Sequence, residues 1–375
     1  AGATVYLGGV NTSTYTDTHS TLIGGSGAAG TVVLLTNTAL GPASQQTQVW
    51  TGTLDFNGQT GVVIGSLVLE SGASSSLING NAAVAAGYAN TVDFNGSIPN
   101  VGGAGALTLS GTVQNGGFTK IGAGTLILNG NDTYAGTTTI AAGILQIGGG
   151  GPAGSLGNGS GNVTNNGALV FNRTDGPTVP NAISGTGSVT QAPSSVASGT
   201  ILFLNGVNSY AGGTTVAGGA IRFLNASAYG SGPITIGSGA VAMSWYNSGG
   251  STIANDFTIA GSGGVATGDG NGWTKDAFYA DGGAAGYANY TLSGTVTLNA
   301  VSSTIGGNNA NNLDITGRIT GPGGLTKGVG RGEENNTVTL SNAANDYAGN
   351  TTVTNGTLKL GASNVIPDGT GKGNV

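Results

Sequence analysis

The sequence predicts an all-β chain wound as a parallel β-helix, a β-solenoid. Three observations carry that prediction. Apolar residues alternate in short runs fenced by Gly, Asn or Asp, the pattern of strands joined by tight turns. One block of sequence recurs along the chain, the signature of stacked repeats. Gly is abundant, 76 of 375 residues, without the three-residue period of collagen. The clearest block is 116–149, GGFTKIGAGTLILNGNDTYAGTTTIAAGILQIGG. Its runs, Leu126 to Leu128, Thr137 to Ile140 and Ile144 to Ile147, are too short for helices. Related text returns at 200–225 and 337–361, where Tyr210 and Tyr347, like Tyr134, open a Tyr-Ala-Gly-x-Thr-Thr segment.

Composition narrows the function classes. Only 6% of residues are charged while 38% are hydrophobic, so the chain can bury a core and does not read as disordered. The net charge is −6 and no Lys/Arg cluster exists to neutralise phosphates, which argues against nucleic acid as a partner. There is no Cys, so disulfides are not the staple. No apolar run approaches the ~18 residues of a membrane helix, and the chain is not expected to be membrane-embedded. It starts without Met or a charged-then-apolar leader and is expected to be a mature fragment or part of a longer chain.

In order along the chain, Thr4 to Tyr6 and Thr31 to Leu35 read as the first strands, separated by a Thr/Ser-rich stretch holding His19. Short strands follow at Val49 to Thr51, Thr53 to Phe56, Val62 to Ile64, Leu67 to Leu69, Val92 to Phe94 and Leu107 to Leu109. Two repeats occupy 116–149 and 184–225. A less regular region contains an insertion at 268–290, GDGNGWTKDAFYADGGAAGYANY, and the third repeat lies at 321–361. No composition shift marks a boundary, so residues 1–375 are expected to form one continuous solenoid. The uneven spacing of Tyr134, Tyr210 and Tyr347 implies turns of unequal length, with loops bulging from some.

Three short strands per turn would place each strand beside its equivalent in the next turn, about 4.8 Å away. Leu126, Leu128, Ile140, Leu145 and Ile147 would point inward and stack on counterparts such as Leu202, Leu204, Val216, Ile221 and Phe223. Turns of roughly 20–25 residues would give about 15–18 of them. Outward Thr and Asn in register would form hydrogen-bonded ladders that need no charge. The competing all-β reading, a pair of sandwich domains, draws weak support from the hairpin-like Asn129-Gly130 and Asn205-Gly206.

The residues of the repeat carry a resemblance. Gly116-Gly117-Phe118-Thr119-Lys120, Gly124-Thr-Leu126-x-Leu128-x-Gly130, Tyr134-x-Gly136-x-Thr-Thr and Gly143-x-Leu145 are similar to the passenger-associated transport repeat of bacterial autotransporters. Gly323-Gly324-Leu325-Thr326-Lys327, Tyr347-Ala348-Gly349 and Gly356-x-Leu358 repeat the pattern, whereas Gly187-Ser188-Val189-Thr190-Gln191 is a degenerate version of its front. The resemblance covers about a third of the chain directly. It implies a right-handed parallel β-helix, extracellular or on a Gram-negative-type cell surface, in which the repeats are scaffold. The outer-membrane barrel that usually accompanies such passengers is not in this sequence.

The expected function is therefore structural: a rod, stalk or filament segment. Glycans or a neighbouring cell surface are the partners of the alternative adhesin reading. End-to-end self-association is also expected. The text from Leu145 through Gly161-Asn162-Val163 runs on to Gly167-Ala168-Leu169-Val170-Phe171. The matching text after Leu358 reaches Gly373-Asn374-Val375, and Gly2-Ala3-Thr4-Val5-Tyr6 resembles the strand that would follow.

No catalytic, cofactor-binding or metal residues are assigned. Asp269-Gly270-Asn271-Gly272 resembles the start of a calcium loop, but Lys275 intrudes and no closing Glu follows. Trp273, Phe278, Tyr279, Tyr287 and Tyr290 would form either a sugar-stacking platform or, the preferred reading, a loop folded over the core. A polysaccharide-degrading enzyme would need clustered carboxylates; Asp314, Arg318, Arg331, Glu333 and Glu334 come nearest, and the chain is not expected to be an enzyme. His19 lacks a nucleophile elbow. Lys120 and Lys327 recur at one repeat position and read as structural posts.

Overall fold

The computed structural model describes residues 3–8, 21–24, 29–40, 45–70, 74–194, 200–245, 251–266, 273–281, 289–307, 311–328 and 336–375. The fold is an all-β solenoid of about 13 turns. Its contacts divide into two compact units: residues 1–172 with 181–187, and residues 173–180 with 188–375. Turns are fewer than the even repeat length suggests because some carry long connections. Ala242, for instance, pairs with Phe278 in the turn that follows it.

In the first unit one sheet runs from Thr4–Leu7 through Gly30–Leu34, Gly52–Asp55, Ser75–Asn79, Asn100–Gly103, Phe118–Ile121, Thr138–Ile140 and Val163–Asn165 to Ile183–Ser184. A second stacks Ala86–Tyr88, Leu107–Leu109, Thr125–Leu128, Ile144–Ile147 and Ala168–Phe171. A third joins Thr21–Ile23, Thr47–Val49, Leu67–Leu69, Val92–Asp93 and Val113–Gln114. All these pairings are parallel, which rules out the sandwich reading for this unit. Gly130 is not a hairpin residue: it packs in column on Gly111, whose carbonyl would lie 2.1 Å from any added Cβ. The Val62 to Ile64 run forms no strand. Val62 and Ile64 do point inward, but the stretch is tied by Val63 N to the Asn37 carbonyl, a turn residue.

The strands of the second unit fall in three parallel stacks and one hairpin. One holds Thr178–Val179, Ile201–Leu204, Ala220–Phe223, Val241–Trp245, Phe278–Asp281, Ser303–Gly307, Leu325–Lys327 and Thr351–Val353. Another holds Ser188–Gln191, Thr214–Val216, Ile234–Ile236, Phe257–Ile259, Val296–Leu298 and Ile319–Thr320. The third holds Ser251–Ile253, Asn289–Leu292, Asn312–Ile315, Thr337–Leu340 and Thr357–Leu360. The hairpin of Gly264–Ala266 with Trp273–Lys275 is antiparallel.

Alternation and register together build the core. Leu107, Leu126, Leu145 and Leu169 stand in one inward column, beside Tyr88, Leu109, Leu128, Ile147 and Phe171 in the next. All are buried. Each such side chain contributes about 1.5–3 kcal/mol by leaving water. In the second unit Leu202 stacks on Ile221, and Leu204 on Phe223. The stacking partners expected from the sequence thus differ in one respect. Leu126 and Leu128 sit on Leu145 and Ile147 of their own repeat, so each repeat copy supplies two successive turns rather than one.

That two-turn layout recurs. The first copy gives Phe118–Ile121 with Thr125–Leu128, then Thr138–Ile140 with Ile144–Ile147. The second gives Ser188–Gln191 with Ile201–Leu204, then Thr214–Val216 with Ala220–Phe223. The third gives Leu325–Lys327 with Thr337–Leu340, then Thr351–Val353 with Thr357–Leu360. Within the second unit the module changes face. The leading strands of the third copy occupy the sheet that holds the trailing strands of the second.

Leu126→Ala should cost about 2–5 kcal/mol, because it leaves a hole between Leu107 and Leu145. Ile127→Ala, on the outer face, should cost under ~1 kcal/mol. Urea unfolding of the two variants makes the comparison, and equal losses would contradict the inward–outward assignment.

Candidate functional site: buried repeat chemistry and an outer polar face

The recurring polar residues of the repeat are spent inside the coil. Tyr134, Tyr210 and Tyr347 are buried, and each phenol meets the hydroxyl four residues on. Thr138 donates to Tyr134 at 3.1 Å, while Tyr210–Thr214 and Tyr347–Thr351 are both 2.6 Å apart. A phenol placed in an apolar corner needs a partner, and the first Thr of the Thr-Thr pair supplies it. Burial raises all three phenols, Tyr210 to about 12, so they stay neutral. In the first copy Phe118 and Phe94 pack their rings against Tyr134.

The two lysines are posts. Lys120 is buried, and its ammonium donates to the carbonyls of Ile121 at 2.9 Å, Gly122 at 2.8 Å and Ala142 at 3.1 Å. Gly122, at φ +74°, turns its carbonyl to that ammonium in a conformation an L side chain rarely takes. Burial lowers the Lys120 ammonium to about 8. Lys327 reaches the Asn355 carbonyl at 2.9 Å and Asn336 Oδ1 at 2.8 Å. Ala142 and Asn355 are the same repeat position, each before a positive-φ glycine, Gly143 or Gly356. Gln191 stands where the second copy lacks the lysine, and among the described residues its Nε2 has no partner.

Two residues before each repeat tyrosine lies a buried amide or acid. Asn345 accepts from Ile319 N through Oδ1 and donates from Nδ2 to the Val365 carbonyl, both at 2.8 Å. Asn208 donates to the Ala228 carbonyl at 2.9 Å. Asp132 keeps only half of this arrangement. Its Oδ1 accepts from Val113 N at 2.8 Å, but Oδ2 has no partner among the described residues. Burial outweighs the backbone N–H bonds and pushes its carboxyl up to about 7.

The outer faces are polar and in register. In the first unit Thr4, Thr31, Thr53, Ser76, Asn100, Thr119, Thr139, Thr164 and Ser184 form one column. In the second unit Thr190, Thr215, Thr235, Thr258, Thr297 and Thr320 form another. One polar face of the second unit has two columns. Asn289, Asn312, Thr337 and Thr357 make one; Thr252, Thr291, Asp314, Thr339 and Lys359 make its neighbour. A groove of about 450 Å³ lies on that face. Asn312 donates to Asn289 at 3.0 Å, and Asp314 accepts from Ser341 at 2.5 Å.

The sequence candidates separate accordingly. Asp314 lines the groove, whereas Arg318 pairs with Asp346 at the surface. The Thr320 hydroxyl and the Arg318 guanidinium hold Asp346 below the usual carboxylate range. Arg331, Glu333, Glu334, His19, Tyr287 and the calcium-like residues 269–272 lie outside the described residues. Phe278, Tyr279 and Tyr290 are buried, so they offer no exposed stacking platform; Phe278 packs edge-on against Phe257. Trp273 lies in the hairpin strand. The two-column face escaped sequence reasoning. Its signal is the outward pair two residues apart in successive strands: Asn-x-Thr, Asn-x-Asp, Thr-x-Thr, Thr-x-Lys.

The passenger-associated-transport-repeat family model matches residues 118–147, 198–222 and 335–360. These segments carry the Tyr–Thr corners and the paired trailing strands described above. The chain is a β-solenoid that carries three passenger-associated transport repeats, and in this it is similar to an autotransporter passenger. In the second and third copies the leading strands, Ser188–Gln191 and Leu325–Lys327, fall outside the matched segments although they fold as the first copy's do. Comparison with curated proteins and with solved structures returns no match.

Asp132→Asn should stabilise the protein, by supplying the amide that Asn345 already uses. The folded carboxyl titrates above its ordinary value, so the native state binds the extra proton between about pH 4 and 7. Wild-type stability therefore falls as pH rises through that window. The variant should lose this slope and exceed wild type by about 1–3 kcal/mol at pH 8, read from denaturant curves at several pH values. Tyr210→Phe strands the Thr214 hydroxyl and should cost about 1 kcal/mol, whereas Thr215→Ala, on the outer column, should change the same melt little.

Proposed function

We propose that this chain is a mechanical segment of an exported protein, a rod, stalk or filament piece at or shed from a Gram-negative-type cell surface. One observation carries the reading. In each unit the backbone of every turn is hydrogen-bonded in register to the next, over closed apolar columns. Pulling along such a stack loads many interstrand bonds at once, and the paired strands resist proteases. The repeat's polar atoms serve the same end: the Tyr–Thr, Lys–carbonyl and Asn–backbone contacts lock corners rather than line a pocket. The transport repeats support placement outside the cell.

End-to-end contact belongs to the same proposal. Thr4–Leu7 pairs only with Gly30–Leu34, and Thr357–Leu360 only with Thr337–Leu340, among the described residues. Val5 and Tyr6 are 48% and 65% exposed, Val353 and Leu360 46% and 55%. A further turn, from a second copy or from continuing chain, would cover these apolar side chains and satisfy the open strand edges.

Two measurements address the proposal. Single-molecule stretching should show high-force unfolding in steps of one or a few turns; a single low-force transition would sink the mechanical role. Val5→Cys combined with Leu360→Cys, both on inward columns at the open ends, should give an oxidised ladder of multimers, and a protein that stays monomeric at high concentration, without cross-links, would remove the end-to-end contact.

A further inference from the structure

We infer that the two-column polar face of the second unit is a binding site for an extended neutral polysaccharide. The proposal is independent of the mechanical role, and apart from Asn289 and Tyr290 its residues lie beyond the 268–290 stretch.

The first argument is geometric. Four successive strands, Asn289–Leu292, Asn312–Ile315, Thr337–Leu340 and Thr357–Leu360, each present two outward side chains separated by one inward residue. The strands repeat every ~4.8 Å, close to the advance of one sugar in an extended glycan. A chain lying across the strands would meet an equivalent pair of polar groups at each sugar, for three to four sugars, along a groove of about 450 Å³. Rigid parallel pairing fixes these groups before the ligand arrives, so little ordering cost remains at binding.

The second argument is chemical. Thr291 and Thr339 offer hydroxyls that both donate and accept, and the Asn289–Asn312 pair offers amides. Such mixed groups match sugar hydroxyls, which are themselves donors and acceptors. The two charged members, Asp314 and Lys359, have opposite sign and lie two strands apart in one column. They leave the face without a net charge, which disfavours a polyanion or polycation and favours a neutral chain. Tyr290 and Leu313 face the core beneath the groove and hold its floor flat. With no exposed ring among the described lining residues, each sugar is gripped by hydrogen bonds alone. Affinity per site is therefore low and gains from repetition along a polymer.

The test is native affinity electrophoresis of the folded chain in gels cast with soluble xylan, galactomannan or laminarin, with heparin as the charged control. At least one neutral polysaccharide should retard the protein. Thr291→Ala with Thr339→Ala should weaken that retardation at least fivefold, and Thr339→Trp, which fills the groove, should abolish it. Thr215→Ala with Thr258→Ala, on the other threonine column, should leave it unchanged. Circular dichroism melts establish that each variant is folded, and Asp314→Asn, which preserves shape, gives a second reading through a smaller loss. The inference is overturned if no neutral polysaccharide retards the protein, if the groove variants behave as wild type, or if heparin alone binds.

Discussion

The register of parallel strands is the constraint on which the rest depends. Each strand must lie one strand spacing from its equivalent in the next turn, so a residue that enters a column packs directly on the residues above and below it, inward on inward and outward on outward. Leu107, Leu126, Leu145 and Leu169 obey it inside. The Thr190 to Thr320 column obeys it outside. Corners obey it too: where Gly130 rides on Gly111, a side chain would strike the backbone below. A chain under this rule needs few charges, because its outer surface is solvated by hydroxyls and amides.

Stacking also decides where polar atoms can be afforded inside. A buried phenol, ammonium or amide is tolerable only where a corner supplies carbonyls or a hydroxyl, and the repeat places such groups only there. Tyr210 with Thr214, Lys120 with three carbonyls and Asn345 with two backbone groups are complete solutions. Asp132 is an incomplete one. Its carboxyl sits in a place built for an amide, and its raised pKa reports the mismatch. The first copy carries this strain and is nevertheless the copy whose front strand the family model covers.

Much of this was legible from residue order. Alternation in Leu126 to Leu128 and Ile144 to Ile147 set inward and outward faces, and the recurrence of Lys120 and Lys327 marked them as posts rather than chemistry. Phe278, Tyr279 and Tyr290 are buried, but as residues of paired solenoid strands rather than of a loop folded over the core. The Val62 to Ile64 run misled because inward apolar residues do not require a ladder; a turn bond to Asn37 holds them equally well. The polar groove was missed because Asn289, Asp314 and Lys359 are far apart in sequence and ordinary one by one. Only the stacking puts them on one surface.

By itself the sequence determined the class of fold, the period-two division of each strand and the identity of the repeat, because these follow from local alternation, turn residues and recurrence. Tertiary structure decided what those features mean in space. It showed that one repeat spans two turns, that within the second unit the module moves from one face to the next, and which outward side chains share a column. The reason is that register is a relation between residues about one turn apart, and turn length varies with every connection. No local pattern encodes it; the closing of the hydrogen-bonded stack does.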